Sequence, residues 1–144
     1  MIEVEKPQIN ERTARDQITE MTSDYERRYN NLMYSIVNYG ESIHLRHLRE
    51  MKKLIQDQSK LSEYEDKIKF QESLSEEIKN AMDEVEISSE MIKRYRRLKN
   101  INAEAEREIK LTSVEVEFFR DFFTKVALIY SKLREKYSHE ELWS

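Results

Sequence analysis

The sequence predicts an all-α fold, an elongated bundle of four to six helices. Three observations lead there. The 144 residues include one Gly and one Pro, so the positive-φ turns that β-hairpins need are nearly absent. Apolar residues recur at steps of three and four along most of the chain, the period of one helix face. Charged residues reach 38 %, equal to the apolar share, which suits long helices that bury one stripe and solvate the rest. By size the chain is one domain. We expect an extended segment over 1–10, a single helical domain over 11–137, a short tail over 138–144, and no β-domain.

Pro7 keeps the first residues extended. A helix is expected from between Arg12 and Asp16, with Ile18, Met21, Tyr25, Leu32, Ile36 and Tyr39 as its stripe and Tyr29 partly filling one wider gap. Gly40, the one glycine, is the natural break. Leu45, Leu48, Met51 and Ile55 carry a second helix between Glu41 and about Gln58. The polar run 56–60 reads as a connection, after which Ser62-x-x-Glu65 looks like a capping box. Tyr64, Ile68, Ile78, Met82 and Val85 continue that helix, and Ser73-x-x-Glu76 is either a restart or a chance match. Ser88-Ser89 is a boundary before a basic helix, although Ile87 and Met91 could keep it continuous. Thr112-x-x-Glu115, with Leu111 just before it, is a further capping box and opens an aromatic helix.

Composition narrows the function classes. With no cysteine, disulfides and thiolate metal sites are excluded, which fits a cytosolic protein. The formal net charge of −4 gives no general attraction to nucleic acid, though a local basic patch is compatible with it. Residues 1–6 are acidic and lack the apolar run of a signal peptide. No segment approaches the roughly 20 apolar residues that cross a bilayer, so no membrane contact is expected and the location is cytoplasmic.

No catalytic constellation stands out, and the chain reads as a non-enzyme without cofactor. His44 and His47 would share a helix face, but the cations Arg46, Arg49, Lys52 and Lys53 around them oppose a metal. The carboxylates Glu84 and Glu86, or Glu104, Glu106 and Glu108, lack the Glu-x-x-His pairs of di-metal bundles. No metal site is expected.

Two features remain. Lys93, Arg94, Arg96, Arg97 and Lys99 spread around a helix whose inward stripe is Ile92, Tyr95, Leu98 and either Ile101 or Asn102. They are either a solvated face with ion pairs or a contact for phosphates or an acidic partner, since Arg offers bidentate geometry to both. Phe118-Phe119 and Phe122-Phe123 are doublets whose members point about 100° apart on a helix. With Val126, Ile129, Tyr130 and Leu133 they form an arc wider than one core needs. A subunit interface through Phe118, Phe119, Phe122, Phe123, Val126 and Tyr130 would account for it.

The order of these features resembles the helical domain of GINS subunits, the scaffold of the replicative helicase in archaea and eukaryotes. Met91 to Lys99 is similar to the basic helix of the class whose helical domain comes first. Leu111-Thr112-Ser113-Val114-Glu115-Val116-Glu117-Phe118-Phe119 is similar to the Leu-[Thr/Ser]-x-x-Glu start of the next helix. The match covers roughly the last third of the chain. Members of that class usually carry a small β-domain after the helical one, and this sequence stops at Ser144.

The resemblance implies a non-enzymatic, chromosome-associated scaffold subunit. It would pair with a homologous or identical helical subunit and link the MCM helicase to a RecJ-like partner, with weak or no direct nucleic-acid binding. Two other readings stand beside it. One is a small helical subunit of a nucleoprotein complex, such as a CRISPR effector, holding RNA or single-stranded DNA on the basic helix. The other is a purely structural helical adaptor.

Overall fold

Apolar spacing of three and four folds the chain into five α-helices in a computed structural model that describes residues 14–104, 111–138 and 141–142. They are α1 (Ala14–Val37), α2 (Ile43–Lys52), α3 (Gln58–Glu84), α4 (Ser89–Glu104) and α5 (Ser113–Lys136), and no strand occurs among the described residues. The fold is an all-α packed bundle. The expected extended segment over 1–10 lies outside the described residues.

α1 buries Ile18, Leu32, Met33 and Ile36. The wider gap in its stripe coincides with a kink, for Tyr29 leaves helical geometry (φ −125°, ψ 29°). Its ring sits 4.4 Å from Tyr130 and 5.8 Å from Tyr25, so the slip in period serves an aromatic contact with α5.

Two chain reversals end helices without glycine at the left-handed position. After α1, Tyr39 takes φ +56°, its N–H donates to Ile36 O, and Gly40 N–H donates to Ser35 O at 2.6 Å. After α3, Glu86 takes φ +62°, its N–H donates to Asp83 O, and Ile87 N–H donates to Met82 O at 2.8 Å. Both are Schellman motifs, which satisfy the last orphan carbonyls; the second also brings an apolar residue back onto its helix, for Ile87 and Met82 are both buried. Gly40 is needed for a second reason. At φ +92°, a Cβ there would lie 2.9 Å from Ser75 O and 2.6 Å from Lys79 Cγ.

α2 is capped by Ser42, which accepts from Leu45 N–H at 3.0 Å. Leu45 and Leu48 pack with Ile68 and Tyr64 into a small cluster of their own. Lys52–Glu65 at 3.6 Å and Arg49–Glu72 at 3.9 Å stitch its rim to α3. The start of α3 differs from the expected Ser62. Asp57 caps it, accepting from Ser59 N–H at 3.0 Å, so the polar run 56–60 is the cap and first turn. Ser62-x-x-Glu65 and Ser73-x-x-Glu76 both fall inside the helix. The hydrogen bond from Ser59 holds the Asp57 carboxyl below its usual range.

Ser88 Oγ accepts from Met91 N–H at 3.2 Å and opens α4, which buries Ile92, Tyr95 and Leu98 as expected. The side chains of Ile101 and Asn102 lie outside the described residues. The Thr112 capping box forms in full: Thr112 Oγ1 accepts from Glu115 N–H, and the Glu115 carboxylate accepts from Thr112 N–H. Leu111 is buried, and its N–H donates to the buried Gln17 amide oxygen at 3.2 Å, fixing the start of α5 to α1.

The aromatic arc is where the expectation is corrected. Phe119, Phe122 and Val126 are fully buried and Phe123 is 2 % exposed, all within the chain's own core. The arc is wide because α5 is flanked on several sides. Tyr25 of α1 stacks on Phe123 at 4.7 Å, and Tyr95 of α4 stacks on Phe122 at 4.9 Å. Both members of the Phe122-Phe123 doublet therefore have a stacking partner inside one chain. Phe118 and Tyr130 stay half-buried at the edge of this core.

Two stability measurements follow from these contacts. Phe122→Ala or Phe123→Ala should cost about 3–5 kcal/mol in urea unfolding, because each leaves a large cavity, whereas half-buried Phe118→Ala should cost clearly less. Equal losses at all three positions would contradict the assignment.

Glu86→Gly should raise stability by about 1 kcal/mol by relieving left-handed strain at an exposed residue. Gly40→Ala should lower it by more than about 1 kcal/mol. Thermal and urea melts of the two variants check the opposite signs.

Candidate partner-binding surface

α4 carries five cations, and the fold divides them. Arg96 donates to the carbonyl of Val37, the last residue of α1, and lies 5.7 Å above the Tyr39 ring. A cation at the end of a helix complements its exposed carbonyls. Lys99 pairs with Glu26 of α1, and the same carboxylate oxygen accepts from the Tyr95 hydroxyl at 2.9 Å. Arg96 and Lys99 thus belong to the α1–α4 junction. Beside them lies a cavity of about 180 Å³, lined in part by Met33, Tyr34, Val37 and Tyr95.

Lys93, Arg94 and Arg97 occupy the other side. Arg94 lies 4.5 Å above the ring of Phe118 at the start of α5. Lys93 is 3.9 Å from Glu90, one turn earlier, and both are well exposed. Arg97 is exposed and makes no ion pair or hydrogen bond among the described residues. With Met91 and Glu90 these residues line an open groove of about 460 Å³.

The other candidates stay apart from this surface. His44 is half-buried and His47 exposed on α2. Among the described residues no group of three or more His, Asp or Glu gathers as metal ligands would. Glu84 pairs with Lys132 and Glu77 with Lys136 across α3 and α5. Glu106, Glu108 and the side chain of Glu104 lie outside the described residues. No helix among the described residues is long and apolar enough to cross a membrane.

Sequence reasoning missed the partners. Nothing in the spacing ties Glu26 to Tyr95 and Lys99, or Arg94 to Phe118, because these contacts join residues far apart in the chain. The only signal was the amphipathic pattern of α4, which placed Tyr95 inward and so put its flanking cations on opposite sides.

Tyr95 has a testable titration. Burial first, and then the negative Glu26, raise its hydroxyl pKa well above the ordinary 10.0. The folded state therefore keeps its proton where the unfolded chain loses it, so this contribution to stability is intact below about pH 10 and falls as pH rises past that value. Tyr95→Phe should flatten the alkaline loss of stability, measured by urea midpoints across that range. An unchanged alkaline slope would place the effect on other tyrosines.

Comparisons with protein-family models, curated proteins and solved structures find no match to this chain.

Proposed function

We propose that the chain is a non-enzymatic scaffold that works by binding other proteins. On the resemblance over Met91–Lys99 and Leu111–Phe119, we propose that its assembly is GINS-like and chromosome-associated in the cytoplasm. In that role it pairs with a homologous or identical helical subunit and links an MCM helicase to a RecJ-like partner. One observation carries the protein-binding reading. The fold commits Tyr95, Phe119, Phe122 and Phe123 to the core, yet leaves Lys93, Arg94 and Arg97 around an open groove with an aromatic edge. Subunit pairing has to use surfaces other than Phe119, Phe122, Phe123 and Val126, since those are spent inside the chain.

The net charge of −4 and the ion pairing of Lys99 weigh against tight nucleic-acid binding by the isolated protein. Affinity capture of the full chain from native lysate, read by mass spectrometry, tests the proposal. Recovery of a second helical subunit together with a helicase is the expected result. RNA or single-stranded DNA co-purifying in a nuclease-sensitive complex, with no helicase, would favour the nucleoprotein subunit instead.

A further inference from the structure

We propose that the groove between α4 and the start of α5 is a docking site for an acidic peptide segment of a partner protein, anchored by one apolar side chain. The inference rests on the scaffold reading and names the chemistry of the partner.

The groove has three cations against one carboxylate. The carboxylate, Glu90, is 3.9 Å from Lys93 and its side chain is 84 % exposed, so it neutralises the site poorly. Arg94 and Arg97 make no ion pair among the described residues. Lys93 and Arg97 are four apart and Arg94 and Arg97 three apart on one helix, so all three can meet one extended segment. The Phe118 ring under Arg94 limits the freedom of that guanidinium before any ligand arrives. Preorganisation of this kind reduces the ordering cost of binding, and a guanidinium takes a carboxylate through two parallel N–H donors.

The apolar half of the site is equally specific. Met91 and Phe118 line the groove and are half-buried there. Carboxylates on the cations and one aliphatic or aromatic side chain on this floor complement both halves.

Nucleic acid fits less well. Single strands bind by stacking bases on open aromatic faces. Here Phe118 is the one ring that lines the groove, with Arg94 over one face, and Phe119 and Phe122 lie 5.6 and 6.1 Å from it on the core side, so no row of rings is open to successive bases. Three cations also offer few phosphate contacts on a chain of net charge −4.

The test is fluorescence anisotropy of the full chain with a short fluorescein-labelled peptide carrying several Glu residues around one central Leu. Saturable binding at near-physiological salt is expected, lost when the Glu residues become Gln and weakened when Leu becomes Ser. Arg97→Ala should weaken it about tenfold, the worth of one charge-assisted hydrogen bond. Arg134→Ala, removing an exposed cation near the far end of α5, should change it less than about twofold. Both positions are exposed, and circular dichroism checks that the variants keep the fold. Absence of peptide binding, equal losses from the two variants, or tighter binding of an oligo-dT that Arg97→Ala abolishes would each overturn the site. If lysate capture by the Arg97→Ala chain still recovers the same proteins, the scaffold reading stands and only this groove is removed.

Discussion

Burial of the Tyr95 ring between α1 and α5 fixes the rotation of α4, and the surface depends on that rotation. The ring stacks on Phe122, meets Phe119 and Phe123 edge-on at 6.1 and 6.0 Å, and anchors its hydroxyl on Glu26 of α1. A helix pinned by an inward tyrosine has no freedom about its axis. Arg96 and Lys99 then fall toward α1, where a helix end and a carboxylate neutralise them. Lys93, Arg94 and Arg97 fall on the other side, where little does. Division of one basic run into structural and available cations is therefore a consequence of core packing.

The same lattice explains how a chain with one glycine builds tight reversals. Tyr39 and Glu86 accept left-handed geometry that usually falls to Gly. Each costs about 1–2 kcal/mol of local strain. The aromatic core offsets this, since a fully buried ring contributes more than one such residue loses. Gly40 is kept where no side chain fits, against the backbone of Ser75.

Much of the fold was legible because its signals are local. The break at Gly40, the Ser88-Ser89 boundary and the Thr112 capping box rest on residues within one turn of each other. The inward stripe of α4 follows from a period of 3.6. The first cap of α3 was misplaced for an equally physical reason. Asp57 and Ser62 are both good caps by residue type, so the local pattern does not choose between them, and the helix begins at the earlier one. The aromatic arc of α5 was misjudged because width alone does not say whose neighbours fill it. Tyr25, Tyr29 and Tyr95 supply them from far along the chain, and a one-helix view does not contain them. The groove was half legible: its cations were visible, but its Phe118 floor needed α4 and α5 brought together.

The central claim is that α5 turns three phenylalanines inward and leaves Phe118 at the rim beside Arg94 and the groove. Solvent paramagnetic relaxation of the phenylalanine ring protons, recorded on the full chain with a neutral soluble gadolinium complex, tests it most directly. Phe118 should broaden, while Phe119, Phe122 and Phe123 stay protected at every protein concentration. Broadening of all four rings in dilute solution, with protection appearing only as the chain associates, would contradict the claim and return the aromatic arc to a subunit interface.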